Sequence, residues 1–224
     1  MSKEWTLILD FDSTIVQIES LDIFAEIVLK NTPDHISISE EIKELTSAGM
    51  TGEISFQESL QKRMQLLKGS KKDVSELCEI LKDSITPSFY KNREWLKMHS
   101  EKVFIISGGF RESILPVGDI LGIKSEHVFA NNFTYSDTEN ITGLDQENIL
   151  CRSKGKLDLL RGLGISNNII VVGDGSTDAE IKELGEHVTF IAFTENITRL
   201  PVVKKADRVL STFDDVIHFI ETIN

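Results

Sequence analysis

Asp10 and Asp12 close a short apolar run that begins at Trp5 and ends at Leu9. The run carries Trp, Ile and Leu, which predicts a buried strand rather than a helix. Side chains alternate along a strand, so acids two residues apart leave it toward the same side. Paired carboxylates at a buried strand end repel each other and stay ionised only beside a cation or strong donors. A hard oxygen-binding metal such as Mg²⁺ answers that need. A turn built from Asp and Ser would also place acids after a strand, so the pair alone leaves both readings open.

Three later stretches narrow the choice. Ser107-Gly108-Gly109 follows the apolar run Val103 to Ile106 and precedes a helical pattern. Glycines there let backbone amides approach a ligand, and a helix start favours an anion. Lys154-Gly155-Lys156 opens the next helical pattern, where a cation opposes the helix dipole and needs another reason to be present. Lys154 is taken as the cation beside a phosphate, and Lys156 as solvated surface. Gly173-Asp174-Gly175-Ser176-Thr177-Asp178 puts a third acid at a strand end and a fourth one helical turn on. A helix N-cap is the plainer reading of an Asp in such a place. Together the four stretches supply acids, a hydroxyl, amides and a lysine, the donors of a Mg²⁺ site beside a phosphate site.

The elements that must position these groups follow from periodicity. Helical spacing runs through Leu21, Phe24 and Val28, again from about Ser39 to a break at Gly49, then from Phe56 to Leu67, then from Val74 to Ile85. No strand is predicted between Ile15 and Ile85. From Pro87 a helix carries Phe89 and Trp95, and strands then alternate with helices: Val103–Ile106, Ile169–Val172, Phe190–Phe193 and Val209–Leu210, with a hairpin within Val128–Leu144 and a last helix near Phe213–Ile223. Apolar strands alternating with helices predict an α/β fold with a parallel sheet covered on both faces. Residues 1–15 and 86–224 form the expected core and 16–85 a helical cap.

The 224 residues suffice for a core with an insertion, and the net charge of −12 disfavours nucleic acid or an anionic membrane as partner. An anionic substrate must therefore be held by local donors. The two cysteines, Cys78 and Cys151, suit a reducing cytosol and read as buried small apolar residues. Met1 to Glu4 runs straight into the first strand with no signal-peptide pattern, and no window is long and apolar enough to span a bilayer. Oligomeric state is not legible.

The order Asp10-x-Asp12-x-Thr14, Ser107-Gly108-Gly109, Lys154 and Gly173-Asp174-Gly175-x-x-Asp178 resembles the haloacid dehalogenase superfamily of phosphohydrolases along nearly the whole core. Within it, the inserted helices, the Met50-Thr51-Gly52-Glu53-Ile54-Ser55-Phe56 segment and Ser107-Gly108-Gly109-Phe110-Arg111 resemble the phosphoserine phosphatase family. The resemblance implies Asp10 as nucleophile and Asp12 as general acid and base. It implies Mg²⁺ on Asp10, the Asp12 carbonyl and Asp174, with Asp178 behind, and a phosphoryl group held by Ser107, Gly108 and Lys154. It also implies a small phosphomonoester substrate whose ammonium and carboxylate meet Glu19 and Arg63, with Met50 at the substrate. Ser20, Thr86-Pro87-Ser88-Phe89, Ser176-Thr177 and Phe193-Thr194-Glu195-Asn196 depart from common family text, and these departures bear on substrate choice, with phosphohomoserine the alternative. A receiver module also joins acids to a lysine, but its chain is shorter and lacks the helical insertion.

Overall fold

The computed structural model describes residues 4–223, so the Met1 to Lys3 stretch read above lies outside the described residues. Strand β1 (Trp5–Leu9) is buried along its whole length, its one polar side chain, Thr6, donating to Asn167 Oδ1 at 3.0 Å. Four helices follow before the chain returns to the sheet: α1 (Ser20–Leu29), α2 (His35–Thr51), α3 (Phe56–Leu66) and α4 (Lys71–Asp83). The chain leaves the sheet at Val16 and returns at Ile85, and these two residues pair as an antiparallel bridge. Gln17 N–H donates to Ser84 O at 2.9 Å and Thr86 N–H to Ile15 O at 2.9 Å, so outgoing and returning chain form one narrow ribbon.

Gly49, expected to break the second helix, lies inside α2. A Cβ there would sit 2.8 Å from the Ser59 side chain, so the glycine lets α2 and α3 touch. The helix stops instead at Gly52, whose φ of 83° is left-handed. The α3–α4 loop is bonded to the core: Ile141 N–H donates to Gly69 O at 2.8 Å and Lys71 N–H to Glu139 O at 3.0 Å.

Beyond Thr86 the helix expected around Phe89 and Trp95 is two, α5 (Pro87–Lys91) and α6 (Arg93–Met98), parted at Asn92, whose side-chain amide donates to Ser88 O. Strand β2 (Val103–Phe110) runs through Ser107-Gly108-Gly109 rather than ending before it, and α7 (Arg111–Ile120) follows. The expected hairpin divides. Strand β3 (Val128–Asn131) joins the main sheet, while β4 (Phe133–Tyr135) and β5 (Ile141–Leu144) pair antiparallel. Then come α8 (Gly155–Leu163), β6 (Asn168–Gly173), α9 (Ser176–Ala179), β7 (Val188–Phe193), α10 (Leu200–Val203), β8 (Arg208–Leu210) and α11 (Phe213–Thr222).

The main sheet has six parallel strands in the order β3-β2-β1-β6-β7-β8. Leu7 and Leu9 pack on one face with Ile105, Ile170 and Val172, and Ile8 packs on the other with Ile106, Ile169 and Val171. With both faces covered, the central strand β1 is buried throughout and β6 at all but its first residue, and their text shows no polar alternation, while the edge strand β8 is largely exposed. Chain order reverses between β1 and β6, the place where ligands bind in such sheets. Leu9 is level with Ile105 and Val172, so Asp10, Ser107 and Asp174 emerge at one edge. Cys78 and Cys151 are buried and unbridged, as expected. No helix among the described residues is long and apolar enough to cross a membrane.

Candidate active site

Asp10 caps the end of β1. Its carboxylate accepts from Phe11 N–H at 2.8 Å, and its own N–H donates to Val172 O at 2.9 Å. The next turn is forced wide by Asp12 in an extended conformation and Ser13 in the left-handed one, with φ 53°. This turn brings Asp12 against the start of α1, where it accepts from Ser20 N–H at 3.0 Å and Ser20 Oγ at 2.9 Å. Burial, with the Asp10 charge next, raises the Asp12 carboxyl to about 7. Such a carboxyl can hold a proton near neutrality and give it up, which general acid–base work requires. Ser20, noted only as a departure from the family text, is thus the hydroxyl that holds this acid.

The lysine of the site is Lys156. Its side chain is 7% exposed, with Nζ 2.8 Å from Asp10 Oδ1 and 2.7 Å from Asp178 Oδ1. Burial works against its charge, but Asp10 and Asp178 outweigh burial and hold the ammonium well above its ordinary value. Lys154, expected in this role, is half exposed in the left-handed conformation and pairs with Glu183 at 2.7 Å. That expectation is corrected, as is the reading of Lys156 as surface. Gly155 sets the geometry: a Cβ there would lie 2.3 Å from Ile149 O, so α8 begins hard against backbone. Lys156 shares the inward face with Leu160, four residues on and buried. That spacing was the available signal.

Asp174 follows β6 and accepts from Thr14 Oγ1 at 3.1 Å and Arg199 Nε at 2.9 Å. Burial, then the Asp10 charge, raises it to about 6. Asp178 does both things its position allows. It caps the helix by accepting from Gly175 N–H at 3.1 Å, and it holds Lys156. Burial comes first among the causes that push it up. Gly173 is required here, since a Cβ would lie 2.3 Å from the Asp178 carboxylate.

Arg63, on α3, is 4% exposed. It donates to Ser59 O and to Thr46 Oγ1 at 3.2 Å, and among the described residues no carboxylate lies within ion-pair distance of it. Burial lowers its pKa, with Glu19, Asp22 and Asp12 opposing. Glu19 is placed differently. It accepts from Ser13 Oγ at 2.6 Å and pairs with Arg199 at 2.8 Å, while burial and then the charges of Asp12 and Asp174 raise it to about 8.

A narrow cavity of about 20 Å³ lies among these groups; Asp10, Asp12, Met50, Arg63, Ser107 and Gly108 line it, and so does Lys156. Phe56, Leu21 and Thr177, which the sequence reading did not single out, line it too. A Cβ on Gly108 would meet the Phe56 ring at 2.3 Å, so the start of α3 closes directly over β2. Asp178 adjoins the cavity through Lys156, whereas Glu19 and Asp174 do not line it and are joined to each other through Arg199. Lys154 does not reach it.

Among the described residues Asp10, Asp12, Glu19, Asp174 and Asp178 face three cations, Arg63, Lys156 and Arg199, so acid predominates. No group of three acids or other ligand side chains among the described residues forms a ready cage. Mg²⁺ needs only one or two carboxylates, with carbonyl, water and phosphate oxygens for the rest. Asp10 and Asp174, flanking the Asp12 turn at the switch point, suit that requirement, and the excess of acid is what a divalent cation would relieve.

Comparison with known proteins agrees with this geometry. The family model described as haloacid dehalogenase-like hydrolase matches residues 7–181. The chloroplastic phosphoserine phosphatase of Arabidopsis thaliana is 30% identical over 95% of this chain and 70% of its own length. The crystal structure of a phosphoserine phosphohydrolase-like protein from Francisella tularensis is 33% identical, covers 97% of this chain and 100% of its own, and superposes with a TM-score of 0.86. A solved phospho-aspartyl intermediate analogue of phosphoserine phosphatase is 25% identical, covers 98% of this chain and 99% of its own, and has a TM-score of 0.78. The chain belongs to the haloacid dehalogenase-like hydrolase family. Its likeness there is to the phosphoserine phosphatases, which makes it a phosphoric monoester hydrolase.

Proposed function

We propose that the chain hydrolyses L-phosphoserine to L-serine and phosphate in two steps, with Mg²⁺ as cofactor and a role in serine biosynthesis. The observation that carries the substrate is Arg63. A cation this buried without a partner acid is costly, and it lines the same cavity as Asp10. A ligand carboxylate beside a phosphoryl group accounts for both. Residues 16–85 act as a cap over the remainder and present Arg63, Met50 and Glu19 to the substrate.

In the first step an Asp10 oxygen attacks phosphorus, and the serine oxygen leaves with the proton of Asp12, giving an aspartyl-phosphate. In the second, Asp12 takes a proton from water, which attacks the same phosphorus and restores Asp10. Lys156 and the amides and hydroxyl of Ser107 and Gly108 hold the phosphoryl oxygens and stabilise their charge. Asp178 keeps Lys156 in place. Mg²⁺, held by Asp10, the Asp12 carbonyl and Asp174, supplies charge neutralisation at the transferring group. Closure of the cap over bound substrate would exclude bulk water.

Phosphate release from L-phosphoserine, measured against phosphohomoserine and p-nitrophenyl phosphate, tests the reading; preference for another ester would remove the substrate and keep the chemistry. Excess chelator should abolish activity, Mg²⁺ should restore it, and Ca²⁺ should inhibit. Ca²⁺ takes more ligands at about 2.3–2.6 Å, against about 2.0–2.1 Å for Mg²⁺, and would misplace the nucleophile. Full activity in chelator rules out the metal.

Arg63→Ala should act selectively. It leaves the substrate carboxylate unpaired in a closed site, a loss of about 2–4 kcal/mol. The fall in kcat/KM for L-phosphoserine should exceed the fall for p-nitrophenyl phosphate by about 10²-fold, at tenfold per 1.4 kcal/mol. Equal falls on the two esters would make Arg63 structural.

A further inference from the structure

Arg199 is a buried cation that the reaction steps above do not use. It stands at the end of the loop that follows β7, and that loop is fastened. Thr194 N–H donates to Leu210 O at 3.0 Å. The Asn196 amide donates to Ser13 O at 3.1 Å, to Thr14 O at 3.2 Å and to Thr86 Oγ1 at 2.7 Å. Asn196 therefore ties the loop to the Asp12 turn and to the returning strand of the insertion. From this footing the Arg199 guanidinium forks: Nε donates to Asp174 Oδ2 at 2.9 Å, and Nη2 donates to Glu19 Oε1 at 2.8 Å. The side chain is 8% exposed. Among the described residues Arg199 is the only cation in ion-pair reach of Glu19.

The oxygens of Glu19 are divided. Ser13 Oγ and Arg199 Nη2 both donate to Oε1. Among the described residues nothing donates to Oε2, which leaves that oxygen for a cation from outside the chain. A carboxylate in so dry a place keeps its charge only if donors hold it. Both donors come from outside the helical insertion, so the orientation of Glu19 is set by the core. The planar fork matters because two separate nitrogens each hold one carboxylate at a fixed separation, whereas a lysine would gather both carboxylates around a single nitrogen.

We propose that Arg199 is a positioning residue that fixes the orientation of the Glu19 carboxyl, with Oε2 presented to the substrate's ammonium, so that discrimination for amino-acid phosphates depends on the loop after β7. The proposal rests on the phosphoserine reading, and its test separates the two. Arg199 acts through Glu19, with its bond to Asp174 serving as the anchor of the fork.

The test compares wild type, Arg199→Met, Arg199→Lys, Glu19→Gln and the Glu19→Gln/Arg199→Met double variant, each checked for folding by its melting curve. Substrates are L-phosphoserine, 3-phosphoglycerate (which has a hydroxyl in place of the ammonium) and p-nitrophenyl phosphate. Arg199→Met should raise KM for L-phosphoserine so that the preference over 3-phosphoglycerate falls about tenfold or more, and Arg199→Lys should lose less. In the Glu19→Gln background, adding Arg199→Met should change that preference less than about twofold, because the two act as one unit. Binding of Mn²⁺, followed by its electron paramagnetic resonance signal, should shift far less than the preference does. If Arg199→Met lowers all three esters equally and weakens Mn²⁺ binding, Arg199 acts through Asp174 and the proposal is overturned. If its effect adds in full to that of Glu19→Gln, the proposal also fails. If wild type itself shows no preference for L-phosphoserine, it is the substrate reading that fails first, and the proposal falls with it.

Discussion

Asp10→Asn should reduce turnover to background, a loss of about 10⁴-fold or more, as single knockouts of a nucleophile do. An amide oxygen is a poor nucleophile toward phosphorus and leaves no stable ester behind. The fold should survive, for a local reason. Asn keeps an oxygen in place of Oδ1, which accepts from Phe11 N–H and meets Lys156. It also removes one charge from a cluster in which acids outnumber cations, so mutual repulsion falls. The melting temperature should therefore hold or rise while activity disappears. Asp12→Asn should cost about 10²–10⁴-fold through loss of acid–base help. Phosphate release and melting curves on the same preparations check both variants, and near-wild-type rates in either would remove its assigned role.

The second large effect separates the two lysines at the start of α8. Lys156→Met should lower kcat by about 10²–10³-fold, the scale of losing one preorganised donor to the transferring group. It should also destabilise the fold by about 3–5 kcal/mol, since Asp10 and Asp178 would lose their shared buried cation. Lys154→Ala removes an exposed pair with Glu183, and turnover should stay within about twofold of wild type, as surface changes of this kind leave little trace. Steady-state kinetics with a chromogenic phosphoester, beside urea unfolding, read both effects. Loss of activity in Lys154→Ala with retention in Lys156→Met would restore the role first expected of Lys154.

The lysines also show where sequence reasoning reaches its limit. The argument from helix polarity was sound in kind: a cation at a helix start needs an acid nearby, and one is there. Polarity cannot choose between Lys154 and Lys156, which lie within one turn; the choice depends on which residue faces the sheet. The acids were legible because carboxylates ending wholly apolar strands are chemically conspicuous, and β1 and β6 formed where their text required. Parallel pairing followed from the same unbroken apolar runs. Arg199 was not legible. Its partners are 25 and 180 residues away along the chain, and its place depends on a loop course fixed by one asparagine. Ser20, Phe56 and Thr177 were missed for a similar reason, because each acts by proximity across elements rather than by pattern within one. Gly49 misled because a glycine that admits a neighbouring helix looks, in one dimension, like one that ends its own.

The helical insertion is mounted at two edges. At one, Val16 and Ile85 bridge with flanking backbone bonds; at the other, the α3–α4 loop is stitched to the β4–β5 hairpin through Gly69 and Lys71. A panel hinged on both sides cannot swing open as a door. The free margin is the α2–α3 pair, joined to the core by single side-chain bonds, from Ser176 Oγ to Gly49 O and from Ser153 N–H to Gln57 Oε1. That margin carries Met50, Phe56 and Arg63. Under the proposed function, the passage by which a substrate enters would be made from the same residues that read it.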